Sequence, residues 1–118
     1  MAKIGTFGYH PSILPLHRGR DAIQWALRFR DRVTGGTVYW MDDGADTGPV
    51  AYQYIVLIRP DDTPLSIWIG HLFPMGLRLF GRLLDDVDAG RKIPSIPQDE
   101  ALATWEPAIG RPPPLSAK

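Results

Sequence analysis

Cysteine is absent from the 118 residues, which removes disulfides, thiolate nucleophiles and Cys-ligated zinc or iron–sulfur centres and fits a reducing compartment. Neither sign of charge is in excess, since thirteen Lys and Arg face thirteen Asp and Glu. No global field draws such a chain onto nucleic acid or an anionic lipid surface. Long apolar runs are missing too. Met1 to His10 lacks the apolar core of a signal peptide, and the most apolar later stretch, Leu65 to Leu84, is broken by His71, Arg78, Arg82 and three glycines. The expectation is a cytoplasmic chain with no nucleic-acid or membrane partner. There is also no GxGxxG after a strand, no Walker loop, no HExxH and no internal repeat, so dinucleotide, nucleoside-triphosphate and zinc-protease readings have nothing to rest on.

What is present suits one small globular domain, with 44% hydrophobic residues. Lys3 to Tyr9 reads as a short strand ended by the His10-Pro11-Ser12 turn, because Pro11 cannot donate to a ladder and disfavours helix at His10. Asp21 stands where a helix cap belongs. Ala22, Ile23, Ala26 and Leu27, with Trp25 and Phe29 beside them, recur at helical spacing up to the Thr34-Gly35-Gly36 break. Thr37 to Met41 and Pro49 to Ile58 are β-rich and joined by an Asp/Gly-rich loop, which predicts an antiparallel pair. Thr63-Pro64 starts a long helix and Ala89-Gly90 stops it. Pro74 predicts a kink at Leu72-Phe73, with Met75, Leu79, Phe80, Leu83 and Leu84 continuing the buried face. Beyond Gly90 the prolines, including Pro112-Pro113-Pro114, predict an extended tail anchored by Trp105.

Three features carry chemistry. They are His10-Pro11-Ser12 at a strand end with Leu14-Pro15 after it, the basic turn His17-Arg18-Gly19-Arg20, and the loop Asp42-Asp43-Gly44-Ala45-Asp46-Thr47-Gly48. Taken singly, each has a plain structural explanation. A histidine before a proline is commonly a turn residue, and the acidic loop is commonly a hairpin turn, without the ligand spacing of a calcium loop. Arg18 and Arg20 could hold a glutamate tail or a phosphate, but they read better as solvated or helix-packing residues. His17 and His71 take structural readings. Trp25, Tyr39, Trp40, Trp68 and Phe73 suit burial.

In order, however, the segments HPSILPLHRGRDAIQWAL, TGGTVYWMDDGADTG and LFPMG, with the ATWEP tail, resemble the folate-dependent formyltransferase and formyl-hydrolase superfamily. Within it they are most similar to the hydrolase domain of 10-formyltetrahydrofolate dehydrogenase and its bacterial relatives. The resemblance implies an α/β fold, the carboxy-terminal half of a doubly wound sheet, with about three strands and two main helices. Residues 1–92 would form that half-domain and 93–118 the extended tail. It further implies 10-formyltetrahydrofolate as formyl donor, with no metal. His10 would then be general acid/base and Asp46 its orienting carboxylate, a pairing that suits an imidazole titrating near neutrality. Ser12, Asp42, Asp43, Gly44, Thr47 and Gly48 would border the folate.

Two departures from the family pattern shape the functional reading. Family transferases carry an asparagine two residues before the histidine to hold the oxyanion, whereas this chain has Gly8. Losing such a donor costs on the order of 2.7 to 4 kcal/mol in acyl-transfer sites, so hydrolysis is expected over transfer. The family's first βαβ units also do not precede the His-Pro-Ser strand. That strand should therefore show a bare edge, and a homo-oligomer, most simply a dimer joined there or through the uncovered face, is expected unless the sequence is a fragment of a longer product. The alternative reading is a non-catalytic oligomerising remnant or protein-interaction module.

Overall fold

The computed structural model describes residues 5–109. Its elements run β1 (Phe7–His10), α1 (Ala22–Arg28), β2 (Val33–Trp40), β3 (Val50–Leu57), α2 (Pro64–Ile67), a π-helical turn (Trp68–Leu72), α3 (Phe73–Asp88) and a short 3₁₀ turn (Glu100–Leu102). The three strands form one sheet in the order β1-β2-β3, antiparallel throughout. The chain is thus α/β, with three strands and two main helices. β2 is the central strand and, fittingly, is buried from Thr34 to Tyr39. Among the described residues β1 pairs with β2 alone, so its other edge is free. The outer part of the expected first strand, Lys3 and Ile4, and the Pro112-Pro113-Pro114 run lie outside the described residues.

Two apolar clusters hold the layers together. Val38, Ala51, Tyr52, Leu83 and Ile93 form one, with Phe7, Tyr9, Trp40, Phe80 and Val87 packed on it. Ile23, Ile67, Leu72 and Met75 form the other. Leu79 touches both. Ala51 and Tyr52 are consecutive yet share one cluster, because the register slips between Val38/Tyr39 and leaves Ala51 as the extra residue of a β-bulge.

Helix ends follow local chemistry. Thr63 caps α2 in a reciprocal box with Ser66, and Pro64 occupies the first turn, as the sequence predicts. Ala89 caps α3, and Gly90 follows at φ 72°. The irregularity expected around Pro74 takes the form of the π turn just before it. Met75 and Leu83 are buried on α3, whereas Leu84 is 67% exposed and belongs to the outer face.

Three expectations are corrected. α1 stops at Arg28, before the Thr34-Gly35-Gly36 segment. The Asp31 N–H donates to Ala26 O at 2.9 Å and the Arg30 N–H to Leu27 O at 3.0 Å, with Arg30 in the left-handed region at φ 56°. This is the Schellman closure, with arginine at the position glycine usually takes. Thr34, Gly35 and Gly36 are instead part of β2. The strand needs a glycine at 35 because a Cβ there would overlap the Tyr54 carbonyl oxygen. Asp21 sits at the helix cap position but makes no capping bond, and its carboxylate instead accepts from the Ile109 N–H at 2.7 Å.

The extended segment after Gly90 is tied down by more than Trp105, which is 54% exposed. Ile93 enters the core, Ile96 exchanges two backbone bonds with Val50, and Trp40 Nε1 donates to Pro94 O at 2.7 Å.

Gly35→Ala is expected to cost at least 1–3 kcal/mol, roughly the range for overpacking a buried site, and Thr63→Ala about 1 kcal/mol, the usual worth of a cap. Urea denaturation of the two variants checks both values and their order.

Candidate active site

β1 delivers His10 to its end, where the chain turns and the Ser12 N–H donates to His10 O at 2.9 Å. His10 is 6% exposed. Its Nε2 lies 2.7 Å from the carbonyl oxygen of His17. A carbonyl can only accept, so Nε2 carries a proton and donates it. The other ring nitrogen, Nδ1, faces Asp46 Oδ1 at 3.5 Å, an ion-pair distance and longer than a direct hydrogen bond.

Asp46 is held from three sides. Tyr39 Oη donates to Oδ1 and the Gly19 N–H to Oδ2, both at 2.9 Å, while Gln98 Nε2 donates to the Asp46 carbonyl at 2.9 Å. Its backbone is left-handed, φ 60°, a conformation that Asp tolerates better than most residues. Tyr39 is 7% exposed, and burial together with its bond to Asp46 pushes its pKa up to about 12. It is therefore a neutral donor at physiological pH.

Gly8 stands directly opposite Tyr39 in the β1–β2 register, and a Cβ on Gly8 would lie 2.9 Å from the tyrosine hydroxyl. The hydroxyl thus takes the room that a side chain at position 8 would need. Glycine at this position and tyrosine at 39 are one steric arrangement.

The remaining sequence-selected residues divide into two groups. Ser12 is fully buried, with its hydroxyl donating to Leu16 O at 2.6 Å. Asp42 accepts from the Gly44 N–H at 2.9 Å and from Thr47 Oγ1 at 2.6 Å, closing the exposed loop on itself. These bonds, Thr47 first and Gly44 second, hold the Asp42 carboxyl below its usual range. Asp43 is exposed and, among the described residues, makes no side-chain hydrogen bond. Gly48 passes so close to Trp40 O that any Cβ would overlap it, and Gly48 O accepts from Gln98 Nε2 at 2.7 Å. The loop's carboxylates therefore part company: Asp46 points inward to His10, while Asp42 and Asp43 stay at the rim. Among the described residues no three His, Asp or Glu side chains converge as a metal site.

Sequence reasoning missed the supports of this site. Arg18, read as solvated or packed on a helix, is buried and bound to Gln98 Oε1 and to both carboxylate oxygens of Glu100. The bonds to Glu100 outweigh burial and raise its already high pKa. Arg20 stands apart on the surface. His17 is 7% exposed, with Nδ1 bonded to Glu106 and Nε2 to Asp31 Oδ2 at 2.7 Å. Partners from residues 31, 98, 100 and 106 are not adjacent in sequence to what they hold, so no local pattern announces them.

Two surface clefts, of about 820 and 450 Å3, have Leu27, Asp31, Ile58 and Asp62 in the lining of the first and Trp40, Val87, Ile93 and Ser95 in that of the second. Neither is lined by His10, Ser12 or Asp46. The His10–Asp46 pair is enclosed by its own turn, loop and C-terminal segment.

Comparison with known proteins decides the family. The sequence pattern described as formyl transferase matches residues 2–68. The chain belongs to the formyl transferase family. It is 43% identical over 104 residues to the mitochondrial 10-formyltetrahydrofolate dehydrogenase of Homo sapiens, covering 88% of this chain and 11% of that protein. It is 41% identical over 107 residues to the methionyl-tRNA formyltransferase of Methylacidiphilum infernorum, covering 91% of this chain and 33% of that enzyme. The chain thus spans a small part of each relative. The fold is shared with HypX from Aquifex aeolicus, crystallised with tetrahydrofolic acid, at a TM-score of 0.77 over 87% of this chain and 17% of that one, with 22% identity. In this formyl transferase segment, the HPSILP turn and the Asp42–Gly48 loop both fall inside the matched residues.

Burial pulls the pKa of His17 down, but the bonds to Glu106 and Asp31 more than offset it, so it lies above the ordinary imidazole value. A raised folded-state pKa adds stability that is fully present below the unfolded value of about 6.5 and is lost as pH rises through the folded one. The urea midpoint should therefore fall as pH increases above neutrality, and His17→Asn should flatten that dependence.

Proposed function

We propose that the chain acts on the formyl group of a 10-formyltetrahydrofolate-type substrate, with hydrolysis to tetrahydrofolate and formate favoured over transfer. The supporting observation is the pairing of His10 Nδ1 with Asp46 Oδ1 at 3.5 Å, between two motifs of a formyl transferase segment that is 43% identical to a 10-formyltetrahydrofolate dehydrogenase. In this reading the Nε2 proton is committed to the His17 carbonyl, so Nδ1 is the nitrogen that moves protons. It takes one from water as the oxygen adds to the formyl carbon. It returns one to the nitrogen of the substrate as the C–N bond breaks, and formate leaves. Asp46 stabilises the imidazolium in between. The loop of Asp42, Asp43, Gly44, Thr47 and Gly48, exposed from Asp42 to Gly44, borders the folate, and Ser12 shapes the turn beneath it. With Gly8 in place of a side-chain donor, a backbone N–H or a water meets the oxyanion.

A second reading is favoured by particular observations. His10 is almost fully enclosed, β1 pairs on one edge only among the described residues, and Leu65, Ile69, Leu77 and Leu84 are exposed along the outer helical face. Those features suit a module that pairs with another chain through its sheet edge, most simply a second copy.

Calorimetry with a stable folate analogue, with solution mass measured on the same sample, separates the two. Saturable binding that His10→Ala and Asp46→Asn weaken supports the enzyme reading, and a well-folded oligomer that binds nothing supports the other. Where formate release is measurable, His10→Ala is expected to lower it on the order of a hundredfold or more. Asp46→Asn should also lower it, because the amide keeps the shape and removes the charge. Unchanged release in Asp46→Asn would end the proposed mechanism.

A further inference from the structure

His17 has an unusual combination of features for a residue whose side chain the proposed chemistry leaves unused. Its imidazole is buried, and both nitrogens face carboxylate oxygens, Glu106 on one side and Asp31 on the other. Carboxylates offer no protons, so a ring bonded to both donates from both nitrogens. Phe29 stacks on the ring, with centroids 5.8 Å apart and planes 19° from parallel. The backbone is equally constrained. φ is 54°, in the left-handed region, and the N–H donates to Thr104 Oγ1 at 2.7 Å. A non-glycine residue stays in that region only when its surroundings insist on it.

The purpose of so much constraint is visible at the carbonyl of the same residue. It points at His10 and accepts from Nε2 at 2.7 Å. Which nitrogen of a neutral imidazole keeps the proton is set by the bond the other partner offers. Were this carbonyl to turn away, the Asp46 carboxylate 3.5 Å from Nδ1 would draw the proton to that nitrogen, and the lone pair on Nδ1 would be lost.

We propose that His17 is the positioning residue of His10: clamped by Asp31 and Glu106, it aims its carbonyl so that His10 keeps its proton on Nε2 and presents Nδ1 to Asp46. The clamp joins three separated stretches, the turn after β1, the turn after α1 and the C-terminal segment. That segment is thereby part of the site. The consequence for catalysis rests on the formyl-chemistry reading; the tautomer itself does not.

The test reads the tautomer directly, from ring 15N signals of His10 in the folate-free chain at about pH 8, above the ordinary imidazole range. The wild-type ring is expected to be protonated at Nε2. His17→Asn keeps a residue that tolerates a left-handed backbone but removes the clamp, and Glu106→Ala removes one jaw while leaving residue 17 intact. Each should lower the ratio of Nε2–H to Nδ1–H roughly two- to tenfold, the worth of one net hydrogen bond. Thr63→Ala, a destabilising change in another part of the fold, should leave the ratio alone. The proposal is overturned if the His10 signals match wild type in both folded variants, or move as far in Thr63→Ala. Because no folate is present, a chain without formyl chemistry still gives a decisive answer.

Discussion

The stretch from His10 to Arg18 has almost no regular structure, yet it carries four of the six buried polar residues among those described, namely His10, Ser12, His17 and Arg18. Burying imidazole, hydroxyl and guanidinium groups is costly unless each finds a partner. Here they do, and Thr34 Oγ1 in β2 is the one buried side-chain atom without a partner among the described residues. Much of the architecture can be understood as supplying those partners. β2 contributes Thr37, whose hydroxyl donates to Ser12 O at 2.8 Å, and the turn after α1 contributes Asp31. The segment after α3 contributes Gln98, Glu100 and Glu106. The site is built on a polar core, and the two apolar clusters fix the elements that surround it.

The elements were legible in the sequence where one local rule decided them. Thr63-Pro64 and Ala89-Gly90 mark helix ends by capping chemistry that does not depend on the rest of the fold. The β-rich runs around the Asp42–Gly48 loop pair as antiparallel strands because a short connection permits little else. Reading failed where a residue serves a distant neighbour. Gly35-Gly36 has the composition of a break but is a pair of close approaches inside β2. Arg30 terminates α1 in a conformation that propensity assigns to glycine. The acidic partners of His17 and Arg18 lie up to 89 residues away in sequence, beyond the reach of any periodicity. Of the selected site residues, the structure brings His10 and Asp46 together and leaves Asp42 and Asp43 at the rim.

Gly8 shows how a departure from a family pattern can be accommodated. The resemblance to family transferases places an asparagine there. In the fold, the room beside Gly8 is occupied by the Tyr39 hydroxyl, which reaches Asp46. The two positions lie directly across the ladder and are coupled by sterics. An asparagine at position 8 would have to displace that hydroxyl, and Asp46 would lose a donor.

The extra residue at Ala51 has a consequence for how this part of the molecule can vary. Ladder pairs on the Val33–Leu57 side are in one phase and those beside the Asp42–Gly48 loop in another, with a half-step between them. Such a half-step works like an expansion joint. Strain introduced by a longer or shorter loop is taken up there, and the strands beyond it keep their alignment. A change in the length of that loop would thus be absorbed at the bulge before it reached the pairs on the Val33–Leu57 side.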